Sequence, residues 1–97
     1  MTPDKLRDVV ANYQTRLLSA GLTPKRDEDS TPGMALTDID WGDIAELDHV
    51  LWMCGEVQTF LVEGRYDKAN RWLGFIQGVL WVLGIYSIPE LQEHNRP

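Results

Sequence analysis

Trp72-Leu73-Gly74-Phe75-Ile76-Gln77-Gly78-Val79-Leu80-Trp81-Val82-Leu83-Gly84-Ile85-Tyr86 is the stretch that decides the fold. Eleven of its fifteen residues are large and apolar, three are glycine, and Gln77 alone carries a polar side chain. At about 100° per residue, Trp72, Phe75, Val79 and Val82 fall on one stripe, and Leu73, Ile76, Leu80 and Leu83 on its neighbour. Gly74, Gly78, Trp81 and Gln77 take most of what remains. A helix apolar nearly all round must be covered nearly all round. Two companion helices of moderate length cover about two thirds of such a rod, so the spacing predicts self-association, with a dimer favoured, through Trp72, Phe75, Gly78, Val79, Trp81 and Val82. Gly74 and Gly78 form a Gly-x-x-x-Gly pair, and each interior glycine costs roughly 1 kcal/mol of helix propensity against alanine. A tight helix crossing is the expected return for that cost.

Working back from the rod, Gly64 breaks the chain just before Arg65-Tyr66-Asp67-Lys68-Ala69, a turn short enough to force an antiparallel hairpin. Its first arm is expected at 41–63, where Ile44, Leu47, Leu51, Cys54 and Val57 trace one stripe and Val50, Met53, Phe60 and Leu61 widen it. The second arm is expected at 66–84. The phrase Glu63-Gly64-Arg65-Tyr66-Asp67-Lys68-Ala69 resembles the turn inside a tetratricopeptide-type hairpin, but one unit makes no repeat array. At the start of the chain, Thr2-Pro3-Asp4 combines a cap, a residue preset for the first helical position and a negative charge for the positive helix end. Leu6, Val9, Val10, Tyr13 and Leu17 then line one side, and Ala20-Gly21-Leu22 supplies a glycine stop, giving a helix at 3–20. Ser87-Ile88-Pro89-Glu90 has capping-box spacing and opens a short helix at 88–94, in which His94 reads as a surface residue. The expected fold class is therefore all-α: a small helical bundle built on an antiparallel helical hairpin, one domain over 1–97.

Between the first two helices, Thr23 to Gly33 has two prolines around a charged run with no apolar residue to bury, so 23–37 reads as a flexible acidic linker. Asp27, Glu28, Asp29, Asp38, Asp40, Asp43, Glu46 and Asp48 crowd into this region and the following helix start. Asp38, Asp40, Asp43 and Glu46 are hard oxygen ligands of the kind a divalent cation takes. Their spacing matches no ion-binding loop, and acids at a helix start are favoured as caps in any case. Glu46 and His49 have the Glu-x-x-His spacing of bundle metal sites, which require a second copy. No metal and no cofactor are expected.

The chain has 97 residues, fifteen acids against nine bases and a net charge of −6, which disfavours duplex nucleic acid and anionic lipid surfaces. Residues 72–89 carry no charge but are shorter in their strongly apolar part than the roughly 20 residues a bilayer requires, so no membrane span is expected. The lone Cys54 lies on the apolar stripe, reads as an inert core thiol, and with the unremarkable start points to a cytoplasm. No nucleophile-base-acid set, phosphate loop or zinc spacing occurs, so no catalytic residue and no enzymatic activity are expected. The best ligand-binding candidate is the start of the third helix. There Arg65, Lys68 and Arg71 approach free backbone N–H groups beside Tyr66 and Trp72, a combination suited to phosphate and a stacked base. The alternative is that Lys68 and Arg71 pair with Asp67, Glu63 or an acid from another helix.

The block Lys68-Ala69-Asn70-Arg71-Trp72-Leu73-Gly74-Phe75-Ile76-Gln77-Gly78-Val79-Leu80-Trp81, with Pro89-Glu90-Leu91 and His94-Asn95-Arg96, resembles small uncharacterised proteins of tailed bacteriophages and prophages. The resemblance covers about the last thirty residues and brings no functional residue with it. It implies a non-enzymatic accessory protein in the host cytoplasm that binds a host factor or a defence component. An acidic face from Asp27 to Asp48 would suit a basic protein partner. The competing expectations are a small-ligand protein that binds or sequesters a nucleotide or phosphate at the basic turn, and a metal-dependent enzyme using Asp40, Asp43, Glu46 and His49.

Overall fold

A computed structural model describes residues 1–26 and 39–97, with side chains described from 46 onward in the second stretch. The described chain forms four helices: α1 (Pro3–Ser19), α2 (Ile39–Val62), α3 (Tyr66–Val82) and α4 (Ile88–His94). Among the described residues there is no strand, and the bundle is all-α, built on the α2–α3 hairpin. Of the expected linker 23–37, residues 27–37 lie outside the described ones.

Local chemistry explains the ends. Thr2 caps α1 by accepting from the Lys5 N–H at 3.2 Å, with Pro3 in the first turn. Ser87 and Glu90 form the reciprocal capping box at α4: Ser87 Oγ accepts from the Glu90 N–H, and Glu90 Oε1 from the Ser87 N–H. These bonds to its charged form hold the Glu90 carboxyl below the usual carboxylate range.

The first three helices all close on a glycine in the left-handed region, Gly21, Gly64 and Gly84. In each, the N–H after the glycine reaches back five residues: Leu22 to Leu17, Arg65 to Phe60, Ile85 to Leu80. α3 ends two residues before the expected 84 because Leu83 is already the cap residue, and Ile85 and Tyr86 fold back against the core. α2 begins at Ile39 and ends at Val62, against an expected 41–63, and α1 ends at Ser19, one residue early. Differences of one or two residues are ordinary where end turns tighten.

α2 is the central element, packed against α1 on one side and α3 on the other. The core joins Leu6, Val9, Val10, Tyr13 and Leu17 of α1 to Val50, Leu51, Met53, Cys54, Val57 and Phe60 of α2. Ala69, Leu73, Ile76 and Leu80 of α3 complete it. At the margin, Gln58 Nε2 donates to the Arg7 carbonyl at 3.1 Å, stitching α2 to α1. Of the two α3 stripes, the Leu73-Ile76-Leu80 one is buried, whereas the other passes from half-buried Trp72 and Val79 to exposed Phe75 and Val82.

Two expectations are corrected here. Gln77 does not lie on the leftover face: it is 8% exposed, and its amide is fully used. Gln77 Nε2 donates to Tyr13 Oη at 3.0 Å and to Asn95 Oδ1 at 2.7 Å, while Asn95 Nδ2 donates back to Gln77 Oε1 at 3.1 Å. His94 is not simply a surface residue either. Tyr13 Oη, which accepts from Gln77, also shares a hydrogen bond of 2.8 Å with His94 Nδ1. The Tyr86 ring meets the His94 ring edge-on at 4.7 Å, and Arg16 lies 4.8 Å from the Tyr86 centroid. A polar network thus anchors the α4 end to α1 and α3, where Leu91 is the only apolar side chain of α4 that is buried.

Candidate functional site

Two neighbouring grooves open along α2 and α3. The first, about 640 Å³, is lined mainly by the outer face of α3, with Phe75, Gly78, Val79, Trp81, Val82 and Leu83 facing Glu46, His49 and Val50 of α2. Phe75 is 57% exposed, Trp81 50% and Val82 74%. Of the six residues expected at an interface, this groove gathers Phe75, Gly78, Val79, Trp81 and Val82; Trp72 lies in the groove beside it.

Among the described residues, Gly74 and Gly78 mark no helix crossing. A Cβ built at either would meet no atom of another described element within 4 Å, so no described element covers their backbone on the outer face. The missing side chains make room outside the fold rather than inside it.

The second groove, about 660 Å³, is lined by Arg26, His49, Trp52, Met53, Arg71, Trp72 and Phe75. Trp52 carries the Arg26 guanidinium 5.3 Å from its ring centre and His49 at 5.5 Å, and it stands 6.1 Å from Trp72. Behind Trp72, Phe60 meets it edge-on at 4.8 Å.

The five-residue ligand site expected at the start of α3 is divided. Arg65 pairs with Glu63 at 3.6 Å and sits over the Phe60 ring, joined there by Lys68 Nζ at 4.7 Å. Tyr66 is exposed, and its carbonyl accepts from Asn70. Of the five, Arg71 and Trp72 are the described ones that line either of these two grooves, and there they meet Arg26, His49 and Trp52, which sequence spacing could not bring to them. The helical period does carry one signal: His49, Trp52 and Met53 lie three and four apart on α2.

The acidic constellation falls mostly out of view. Asp27, Glu28, Asp29 and Asp38 lie outside the described residues, as do the side chains of Asp40 and Asp43. Glu46 is exposed, and Asp48 is occupied locally, accepting the Thr23 N–H on its side chain and the Lys25 N–H on its carbonyl. Among the described residues no group of three His, Cys, Asp or Glu could hold a metal ion, and no helix is long and apolar enough to cross a membrane.

Cys54 is 0% exposed, and burial pushes its thiol up to about 12. Since the thiolate is the reactive form, a disulfide thiol reagent at pH 8 should label Cys54 at least about a hundredfold more slowly in the native protein than in denaturant. Stopped-flow absorbance measures this, and fast native labelling would show a thiol reachable from solvent.

Compared with protein-family models, curated proteins and solved structures, the chain matches none.

Proposed function

We propose that the protein is a non-enzymatic interaction module that works as a homodimer, with α3 of one copy against α3 of the other, and binds a host protein as a phage-type accessory factor. One observation carries the reading: α3 presents Phe75, Trp81 and Val82 to solvent around a bare glycine backbone. Each aromatic side chain buries 150–250 Å² when covered, so two half-exposed rings and Val82 amount to a patch on the order of 300 Å², a size at which the largest patch of a monomer is often functional. A two-fold axis through the patch counts it twice, and Gly74 and Gly78 let the partner helix approach closely. The resemblance of Lys68–Trp81 to small phage and prophage proteins supports the accessory role, and the acidic balance favours a basic protein partner over duplex nucleic acid. Action in the host cytoplasm belongs to the same reading.

Sedimentation equilibrium tests the assembly directly. The expected mass at about micromolar protein is twice 11.1 kDa. Val82→Asp should weaken dimerisation at least about a hundredfold, because the symmetric contact loses two apolar side chains and gains two unpaired carboxylates. The melting temperature, extrapolated to low concentration, should hardly change. A wild-type protein that stays monomeric at millimolar concentration refutes the reading. For the partner, salt-sensitive capture of one host protein by the wild type, lost in Val82→Asp, is the expected result.

A further inference from the structure

We propose that α4 is a detachable latch: from Ser87 onward the chain undocks and unravels as one unit and re-forms, while α1, α2 and α3 stay folded beneath it. The inference is independent of self-association, which concerns the outer face of α3 and rests on Phe75, Trp81 and Val82.

Little apolar contact holds the helix down. Of its seven residues only Leu91 is buried, and Ile88, its other large apolar side chain, is 44% exposed. By contrast, α1 buries Leu6, Val9, Val10, Tyr13 and Leu17. A released α4 is also too short to stay helical, because an isolated helix of fewer than about 12–15 residues is marginal in water. Leaving the core and losing the helix are therefore one event.

The remaining attachments are polar. Asn95 and Gln77 exchange hydrogen bonds in both directions, at 2.7 and 3.1 Å, and His94 Nδ1 meets Tyr13 Oη at 2.8 Å. Such bonds hold the shut latch in one register, since each amide must find its mate. They also open readily, because water takes the place of the lost partner at the uncovered Gln77 and Tyr13. An apolar seam would instead resist opening in proportion to its area. Opening widens the hollow of about 260 Å³ between α1 and α4, which Lys5, Asn12, Tyr86 and Glu93 help to line.

The hinge is defined too. Gly84 sits at φ +76°, and the Ile85 N–H donates to the Leu80 carbonyl at 2.8 Å, which fastens the chain to α3. Tyr86 packs against the core, its ring 5.5 Å from that of Tyr13 and its centre 4.8 Å from the Arg16 guanidinium. Past Tyr86 the bonds turn inward to α4 itself: the Leu91 N–H donates to the Ser87 carbonyl, the Asn95 N–H to the Leu91 carbonyl, and Ser87 and Glu90 cap each other. The unit that opens begins at Ser87.

Native-state hydrogen exchange of the full chain tests the latch. The Leu91 and Asn95 amides should exchange together, at least about tenfold more slowly than in an unstructured chain and at least about a hundredfold faster than those of Val57 and Ile76. The Ile85 amide should follow the core. Urea should speed α4 exchange with a shallower slope than core exchange, because this opening exposes less surface than global unfolding. Leu91→Asp should strip α4 of protection and leave Val57 and Ile76 protected at least about a hundredfold. Equal exchange of α4 and core amides in the wild type overturns the proposal, as does a complete lack of protection at Leu91 and Asn95. Exchange of Ile85 at the rate of Leu91, or global unfolding of Leu91→Asp, would equally overturn it.

Discussion

Raised from about pH 9 towards pH 12, the protein should lose several kcal/mol of folding stability, in two steps. In the unfolded chain Cys54 ionises near its ordinary 9.0 and Tyr13 near 10.0, whereas in the fold burial pushes both up to about 12. Below pH 9 both groups are protonated in both states, and their contribution is fully present. Above it the unfolded state sheds a proton that the folded state keeps, so stability falls by roughly 1.4 kcal/mol per pH unit for Cys54, and by about twice that once Tyr13 joins near pH 10. Urea midpoints across pH 8 to 11 measure the slope. Cys54→Ala should delay the onset to about pH 10, and Tyr13→Phe should remove the steeper second limb. A midpoint unchanged from pH 8 to 11 in the wild type would contradict the burial of both groups.

Tyr13→Ala should cost about 3–5 kcal/mol, enough to threaten a domain of this size, whose whole stability is about 5–15 kcal/mol. Tyr13 is among the largest fully buried side chains, and it joins the α1 side of the core to Gln77 and His94. Tyr13→Phe separates the hydroxyl from the ring. It should cost about 1–3 kcal/mol, since the Gln77 N–H then has no acceptor on that side and His94 Nδ1 loses its hydrogen-bond partner. His94→Ala in the Tyr13→Phe background should add clearly less than it does alone, because the two changes remove the same hydrogen bond. Full additivity, read from denaturation of the four proteins, would show that the bond carries no coupling energy.

The helices were legible because their signals are local. Thr2, Gly21, Gly64 and the Ser87–Glu90 pair act within a turn of where they stand, and the apolar period of α1 needs only five residues to show its buried side. Which face of α3 would be left open was less legible. Both of its stripes are apolar, and only the packing of α1 and α2 chooses Leu73, Ile76 and Leu80 over Phe75 and Val82. Gln77 misled because its partners, Tyr13 and Asn95, lie 64 and 18 residues away in sequence. The same limit applies to the grooves. Arg71 and Trp72 are visible as a basic-aromatic pair, but Arg26, His49 and Trp52 reach them only when α2 and α3 close.

The Tyr13–His94 hydrogen bond spans 81 residues, and that separation sets a clock on biosynthesis. At about 5–20 residues per second, roughly 4–16 s pass between the addition of Tyr13 to the growing chain and that of His94. Until α4 is made, the Tyr13 phenol lacks the His94 partner that will meet it on that side. Closure of this end of the bundle therefore waits for α4, whose His94 is added about 0.6–2.4 s after the last residue of α3 at the same rate.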